Sequence, residues 1–106
     1  MKQEAEITLL QNEVVAAIRN QRRAANHADH EGCVSFYFDG THLTKEVTGA
    51  EEYTHHFHTE QDFIDGLERC FWYKGSSLLE RWKGIRKQLY PPLRTKNKAI
   101  VKKEKP

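Results

Sequence analysis

A small α+β domain is the fold that this sequence of 106 residues predicts: an N-terminal helix, a three-stranded antiparallel β-meander, two C-terminal helices and a basic flexible tail. Three observations predict it. Apolar residues recur every three or four positions near the start, alternating residues flank Asp39-Gly40, and two helix-capping patterns occur between residues 59 and 80. Because one face of the meander is apolar, we expect the helices to cover that face.

The first helix is predicted over residues 4–28. Leu10, Val14 and Ile18 share one side at helical spacing, and no Gly or Pro interrupts the run. The polar stretch that ends at Gly32 predicts the helix exit. We expect the apolar side to cover the protein's own sheet, with pairing of this helix between two copies in a homodimer as the alternative.

The strands give the clearest local pattern. Residues 33–38 alternate, Asp39-Gly40 suits a two-residue type I′ turn, residues 41–47 follow as the second strand, and residues 53–57 are predicted as the third. The alternation places five apolar side chains on one face: Val34, Phe36, Phe38, Leu43 and Val47. The sheet is therefore expected to be half-buried.

Two helices are predicted after the sheet. Thr59 and Ser77 stand at capping positions, each followed three residues later by an acidic residue. The last helix carries an apolar stripe formed by Leu78, Trp82, Ile85 and Leu89. Because Pro91-Pro92 ends that helix, we assign residues 1–93 to one domain and residues 94–106 to the flexible basic tail.

Charge is sorted along the chain. From Met1 to Glu80 there are 7 Lys or Arg residues against 14 Asp or Glu, whereas from Arg81 to Pro106 there are 10 against the single acid Glu104. A basic end on an acidic body favours contact with the phosphate backbone of DNA or RNA. The predicted contacts are Arg81, Lys83, Arg86, Lys87, Arg94, Lys96 and Lys98. The sequence thus predicts a small non-enzymatic nucleic-acid-binding or regulatory protein that uses its last helix and tail.

A protein-interaction module is the alternative function. A small inhibitor or adaptor of this kind would bind its partner through the acidic body and exposed aromatic residues. Phe71, Trp72 and Tyr73 are consecutive, so they cannot all face one core. The predicted partner-binding residues are Tyr37, Trp72 and Tyr73.

A zinc site is a further alternative, although no cofactor is part of the main prediction. His27-x-x-His30-x-x-Cys33 puts two imidazoles one helical turn apart, with a thiol close behind. The spacing matches no standard zinc motif. Catalysis is not expected, because the chain has no Gly-rich phosphate loop and no Ser-centred elbow.

The hydropathy pattern predicts neither a membrane span nor a secretory signal. No apolar run approaches the roughly 20 residues that cross a bilayer. The residues after Met1 lack the apolar stretch of a signal peptide. A cytoplasmic location, with Cys33 and Cys70 as free thiols, is the resulting expectation.

Overall fold

The computed structural model describes residues 2–70, 73 and 75–90. The α+β meander with an N-terminal helix and two further helices is confirmed, but the sheet has four strands instead of three. The elements in chain order are α1 (Lys2–Asn20), β1 (Ala25–Asp29), β2 (Gly32–Phe38), β3 (Leu43–Gly49), β4 (Tyr53–His56), α2 (Glu60–Cys70) and α3 (Leu78–Leu89). The predicted tail, residues 94–106, lies outside the described residues.

The four strands form one antiparallel sheet in the order β1-β2-β3-β4. Val34 pairs with Val47 and Phe38 with Leu43, so the predicted apolar face is confirmed. Phe36, at the centre of that face, is fully buried against the helices. Side chains at alternate positions, such as Ser35, therefore point to the other face of the sheet.

The predicted helix over residues 4–28 is wrong beyond Asn20. Arg22 adopts a left-handed conformation, with a φ angle of 56°, and the amide of Arg23 donates back to the carbonyl of Ala17 at 3.3 Å. This turn ends the helix without the glycine that usually marks such an exit.

The unpredicted strand, β1, lies at the edge of the sheet. Its first residue, Ala25, is fully buried and pairs with Phe36. Gln88 of α3 bonds to the outer side of the strand: its Oε1 accepts from the Asn26 amide and its Nε2 donates to the Asn26 carbonyl, both at 2.8 Å. A side-chain amide thus satisfies backbone groups that an edge strand otherwise leaves unpaired.

The connection from β2 to β3 also differs from the prediction. It contains four residues, 39–42, and only its Gly40 has a positive φ angle, which excludes the predicted type I′ turn. The Asp39 carboxylate accepts from the amides of His42 at 2.7 Å and Thr41 at 2.8 Å. These two bonds, that of His42 first, lower the pKa of Asp39 below its ordinary value.

The three helices cover the apolar face of the sheet. Thr59 Oγ1 accepts from the Asp62 amide at 3.1 Å, and Ser77 Oγ accepts from the Glu80 amide at 3.2 Å, so both predicted caps are confirmed. The buried apolar residues that the helices contribute are Leu10, Val14, Val15, Ala17, Ile18, Phe63, Ile64, Leu67, Trp82, Ile85 and Leu89. Leu78, predicted in the same stripe, is 39% exposed because it lies in the first turn of α3.

Glu68 of α2 connects the three helices. Its Oε2 accepts from Trp82 Nε1 of α3 at 2.8 Å and from Gln11 Nε2 of α1 at 3.0 Å. Its backbone carbonyl accepts from Arg81 Nη1 at 3.0 Å. Trp82 is fully buried, so this carboxylate satisfies an indole N–H that would otherwise be unpaired in the core.

We expect Glu68→Ala to lower the free energy of unfolding by about 2 kcal/mol, because the buried indole N–H of Trp82 loses its acceptor. Glu68→Gln keeps an acceptor oxygen at the same place and should lose much less. Urea unfolding followed by tryptophan fluorescence measures both variants. Equal stability of the two variants would show that the hydrogen bond is unimportant.

Asp29 makes a similar carboxylate contact in the β1–β2 turn. Its Oδ1 accepts from the amides of Glu31 at 2.8 Å and Gly32 at 3.2 Å, and the Glu31 bond is the main cause that lowers its pKa from 3.8. Gly32, predicted as a helix exit, is instead the first residue of β2.

The lowered pKa of Asp29 predicts a pH-dependent contribution to stability. A depressed folded-state pKa stabilises the fold above the unfolded-state pKa, and that contribution is lost as the pH falls through the folded-state value. Asp29→Asn should therefore be less stable than the wild type at neutral pH and approach it in stability as the pH falls below the ordinary carboxyl pKa of 3.8. Urea unfolding across this range tests the sign. A difference that does not change with pH contradicts it.

Candidate nucleic-acid interface

Three of the four cations predicted on α3 contact the protein's own acceptors. Lys83 Nζ lies 3.7 Å from Glu6 Oε2, and Arg86 Nε lies 2.9 Å from Glu13 Oε2, both on α1. The hydrogen bond to Glu13 raises the pKa of Arg86 above its ordinary value. Arg81 is directed to the Glu68 carbonyl, so it serves the packing of the helices.

The remaining predicted contacts divide into two groups. Lys87, in the last turn of α3, is exposed and forms no ion pair with any residue that the structure describes. Arg94, Lys96 and Lys98 lie outside the described residues. The positive charge predicted on α3 is thus largely neutralised by α1, and Lys87 near its C-terminal end keeps its charge unpaired among the described residues.

Two arginines outside the predicted contacts lie near the same end. Arg22 and Arg23 occupy the loop between α1 and β1, and both are exposed. Within the described ranges, neither lies within ion-pair distance of a carboxylate. We call the group Arg22, Arg23 and Lys87 the cationic end.

Arginines in this region pack against aromatic rings. The Cζ atoms of Arg23 and Arg86 lie 5.3 Å and 5.9 Å from the centroid of the Tyr90 ring. Arg22 Cζ lies 5.8 Å from the centroid of the Phe38 ring. A guanidinium that packs on an aromatic face keeps its N–H edge available for a phosphate.

The fold brings these residues together through its loops. The Gln88–Asn26 hydrogen bonds join the last turn of α3 to the start of β1, directly after Arg22 and Arg23. Tyr90, the C-cap residue of α3, lies between arginines from both elements. The pair Arg22-Arg23 was visible in the sequence as two adjacent cations, but it was assigned to the interior of a helix.

Of the predicted partner-binding aromatics, the two that the structure describes do not share one surface. Tyr37 lies on the sheet face away from the helices, is half-buried, and donates its hydroxyl to Glu46 Oε1 at 3.0 Å, which raises the pKa of Tyr37. Tyr73 is half-buried, and a Cβ added at Gly84 would lie 3.0 Å from its ring. Trp72 lies outside the described residues, so the interaction-module function stays a prediction.

The predicted helical spacing of the zinc candidates His27, His30 and Cys33 is wrong, because His27 lies in β1 and Cys33 in β2. His27 pairs with Val34 and Cys33 pairs with Ala28, so the two side chains point to opposite faces of the sheet. His30 lies in the turn between them, with its side chain 88% exposed. The geometry does not bring the three together.

Comparisons of the chain with family models, with curated proteins and with solved structures each find no match. None of the helices in the described ranges combines the length and apolar character that a membrane span needs.

Arg22 allows its charge and its backbone conformation to be tested separately. We expect Arg22→Gly to be more stable than Arg22→Ala by about 1 kcal/mol, because only glycine adopts a left-handed conformation without a Cβ clash. Both substitutions remove the same charge, so any loss of ligand binding should be equal in the two. Thermal unfolding measures the difference. Equal stability would mean that Arg22 does not hold this conformation.

Proposed function

We propose that this protein is a small non-enzymatic nucleic-acid-binding or regulatory protein whose cationic end and basic C-terminal sequence contact the phosphate backbone. The observation that carries the proposal is the position of Arg22, Arg23 and Lys87, which have no carboxylate partner among the described residues. Lys87 lies in the last turn of α3, and Arg23, next to Arg22 in the chain, packs on the ring of the C-cap residue Tyr90. The sequence continues from there into its Lys-rich segment.

Charge distribution supports the same surface. Beyond Tyr90 the sequence adds six cations, Arg94, Lys96, Lys98, Lys102, Lys103 and Lys105, against the single acid Glu104. A folded cluster followed by a basic segment can contact several successive phosphates, and such contacts are largely independent of base sequence. The cationic end thus adds phosphate contacts on the folded domain to those predicted for the basic tail.

The position of the aromatic rings supports backbone contact over base stacking. Arginine guanidinium groups lie over the rings of Phe38 and Tyr90. A ring face covered in this way is unavailable for a base, whereas the guanidinium edge can form two parallel hydrogen bonds to a phosphate. We therefore expect weak discrimination between sequences and a strong dependence on salt.

The experiment is a titration of a fluorescein-labelled duplex DNA and a labelled RNA, read by fluorescence anisotropy at several salt concentrations. The variant Arg22→Gln/Arg23→Gln/Lys87→Gln should bind more weakly. Its plot of log affinity against log salt should be shallower by about 0.9 for each lost duplex contact.

The matched control is Lys2→Gln/Lys45→Gln/Arg69→Gln, which removes the same charge elsewhere on the domain. It should keep a slope close to that of the wild type. A chain truncated after Leu93 separates the contribution of the basic segment from that of the cationic end. Equal losses in the two triple variants, or the absence of salt-sensitive binding by the full chain at low ionic strength, overturns the proposal.

A further inference from the structure

A cluster of metal-ligating side chains lies away from the cationic end, where β3 begins. Asp39 and His42 belong to the connection between β2 and β3, and His56 is the last residue of β4. One ligand atom from each of the three lies within 4.8 Å of the others. Within the described part of the chain, this is the group whose side chains can meet around one ion.

We propose that Asp39, His42 and His56 form a binding site for a divalent transition-metal ion, Zn²⁺ in the first instance. Two imidazoles and one carboxylate are ligands that zinc binds in proteins, at about 2.0–2.2 Å from the metal. Tetrahedral geometry at these lengths places ligand atoms about 3.3 Å apart. His56 Nδ1 and Asp39 Oδ2 are already 3.6 Å apart, and the His42 and His56 ring centroids are 5.1 Å apart.

The backbone fixes Asp39 in a suitable orientation. Its Oδ1 accepts from the amides of Thr41 and His42, which leaves Oδ2 directed towards His56. The turn therefore keeps one carboxylate oxygen in place before any ion binds. A ligand that is ordered in advance loses less conformational freedom on binding.

Thr44 fixes the histidine side of the site. Thr44 is fully buried although it lies on the sheet face away from the helices, and it pairs directly with His56 across β3 and β4. Its Oγ1 lies 3.1 Å from His56 Nδ1 and 3.0 Å from the carbonyl oxygen of His42. When this hydroxyl donates to the His42 carbonyl, it fixes the backbone that carries His42 and leaves the Nδ1 lone pair of His56 for an ion.

The ligand set and the exposure of the site define what binds. Imidazole nitrogen favours zinc, nickel and cobalt over magnesium and calcium, which prefer oxygen. The side chains of His56 and Asp39 are 50% and 28% exposed, so water can fill the remaining coordination positions. The proposal does not depend on nucleic-acid binding, since it uses none of the residues of the cationic end.

The experiment is an isothermal titration of tag-free protein with Zn²⁺, with Mg²⁺ as the comparison ion. We expect about one equivalent of Zn²⁺ per chain and no measurable Mg²⁺ binding. His42→Gln and His56→Gln should each weaken the affinity by about tenfold or more. His30→Gln and His58→Gln are the matched controls, because they remove exposed histidines outside the cluster, and they should bind as the wild type does.

Asp39→Asn provides a variant that preserves the fold, since the asparagine Oδ1 can still accept from Thr41 and His42. It should also weaken Zn²⁺ binding, and in the absence of metal it should stay folded with a slightly lower melting temperature, because a neutral amide oxygen accepts more weakly than the carboxylate. At about a hundredfold excess over Kd, Zn²⁺ should raise the melting temperature of the wild type by roughly 10 °C or more. That rise should be absent in His56→Gln.

Cobalt substitution distinguishes this cluster from a thiolate site. Co²⁺ bound by nitrogen and oxygen gives weak visible absorption, whereas a bond to Cys33 or Cys70 adds an intense ultraviolet band. The intense band overturns the proposal. Undiminished Zn²⁺ binding by His42→Gln and His56→Gln, or a loss confined to the two control variants, overturns it as well.

Discussion

Trp82 brings an indole N–H into the middle of the helical layer, where only a nearby acceptor can make its burial favourable. Glu68 supplies that acceptor and also receives Gln11, so one carboxylate from α2 holds groups from both α3 and α1. The positions of the three helices over the sheet depend on this contact. Because α1 and α3 then lie side by side, the end of α3 meets the α1–β1 loop, and the arginines around Tyr90 come together.

The elements that were predicted correctly are those whose sequence patterns lie within one short stretch of the chain. Alternation defines β2, capping hydroxyls at Thr59 and Ser77 define the starts of α2 and α3, and helical spacing places Trp82 inward. β1 could not be predicted in this way, because Ala25–Asp29 contains no β-branched or aromatic residue and its alanines continue the helical spacing of α1. Its pairing with β2 and its hydrogen bonds to Gln88 are contacts between distant parts of the chain.

The surface charge was the least predictable feature, because charge sorted along a chain is not charge sorted in space. Lys83 and Arg86 belong to the basic part of the sequence, yet α1 places Glu6 and Glu13 beside them. Arg22 belongs to the acidic part, yet it lies at the cationic end. Counting charges along segments of the sequence therefore overestimates the unpaired positive charge on α3 and misses the arginines of the α1–β1 loop. Only the packing of α1 on α3 determines which cations remain unneutralised.

Sequence spacing likewise did not show which histidines lie close together in the fold. His27 and His30 were grouped by sequence spacing, which has meaning only if the segment is a helix. His42 and His56 are 14 positions apart in the sequence, and they meet because Thr44 pairs with His56 in the sheet register. A shift of one residue in that register would turn His56 to the opposite face and dissolve the cluster. The same hydrophobic alternation that buries Phe36 therefore also determines which polar side chains can share an ion.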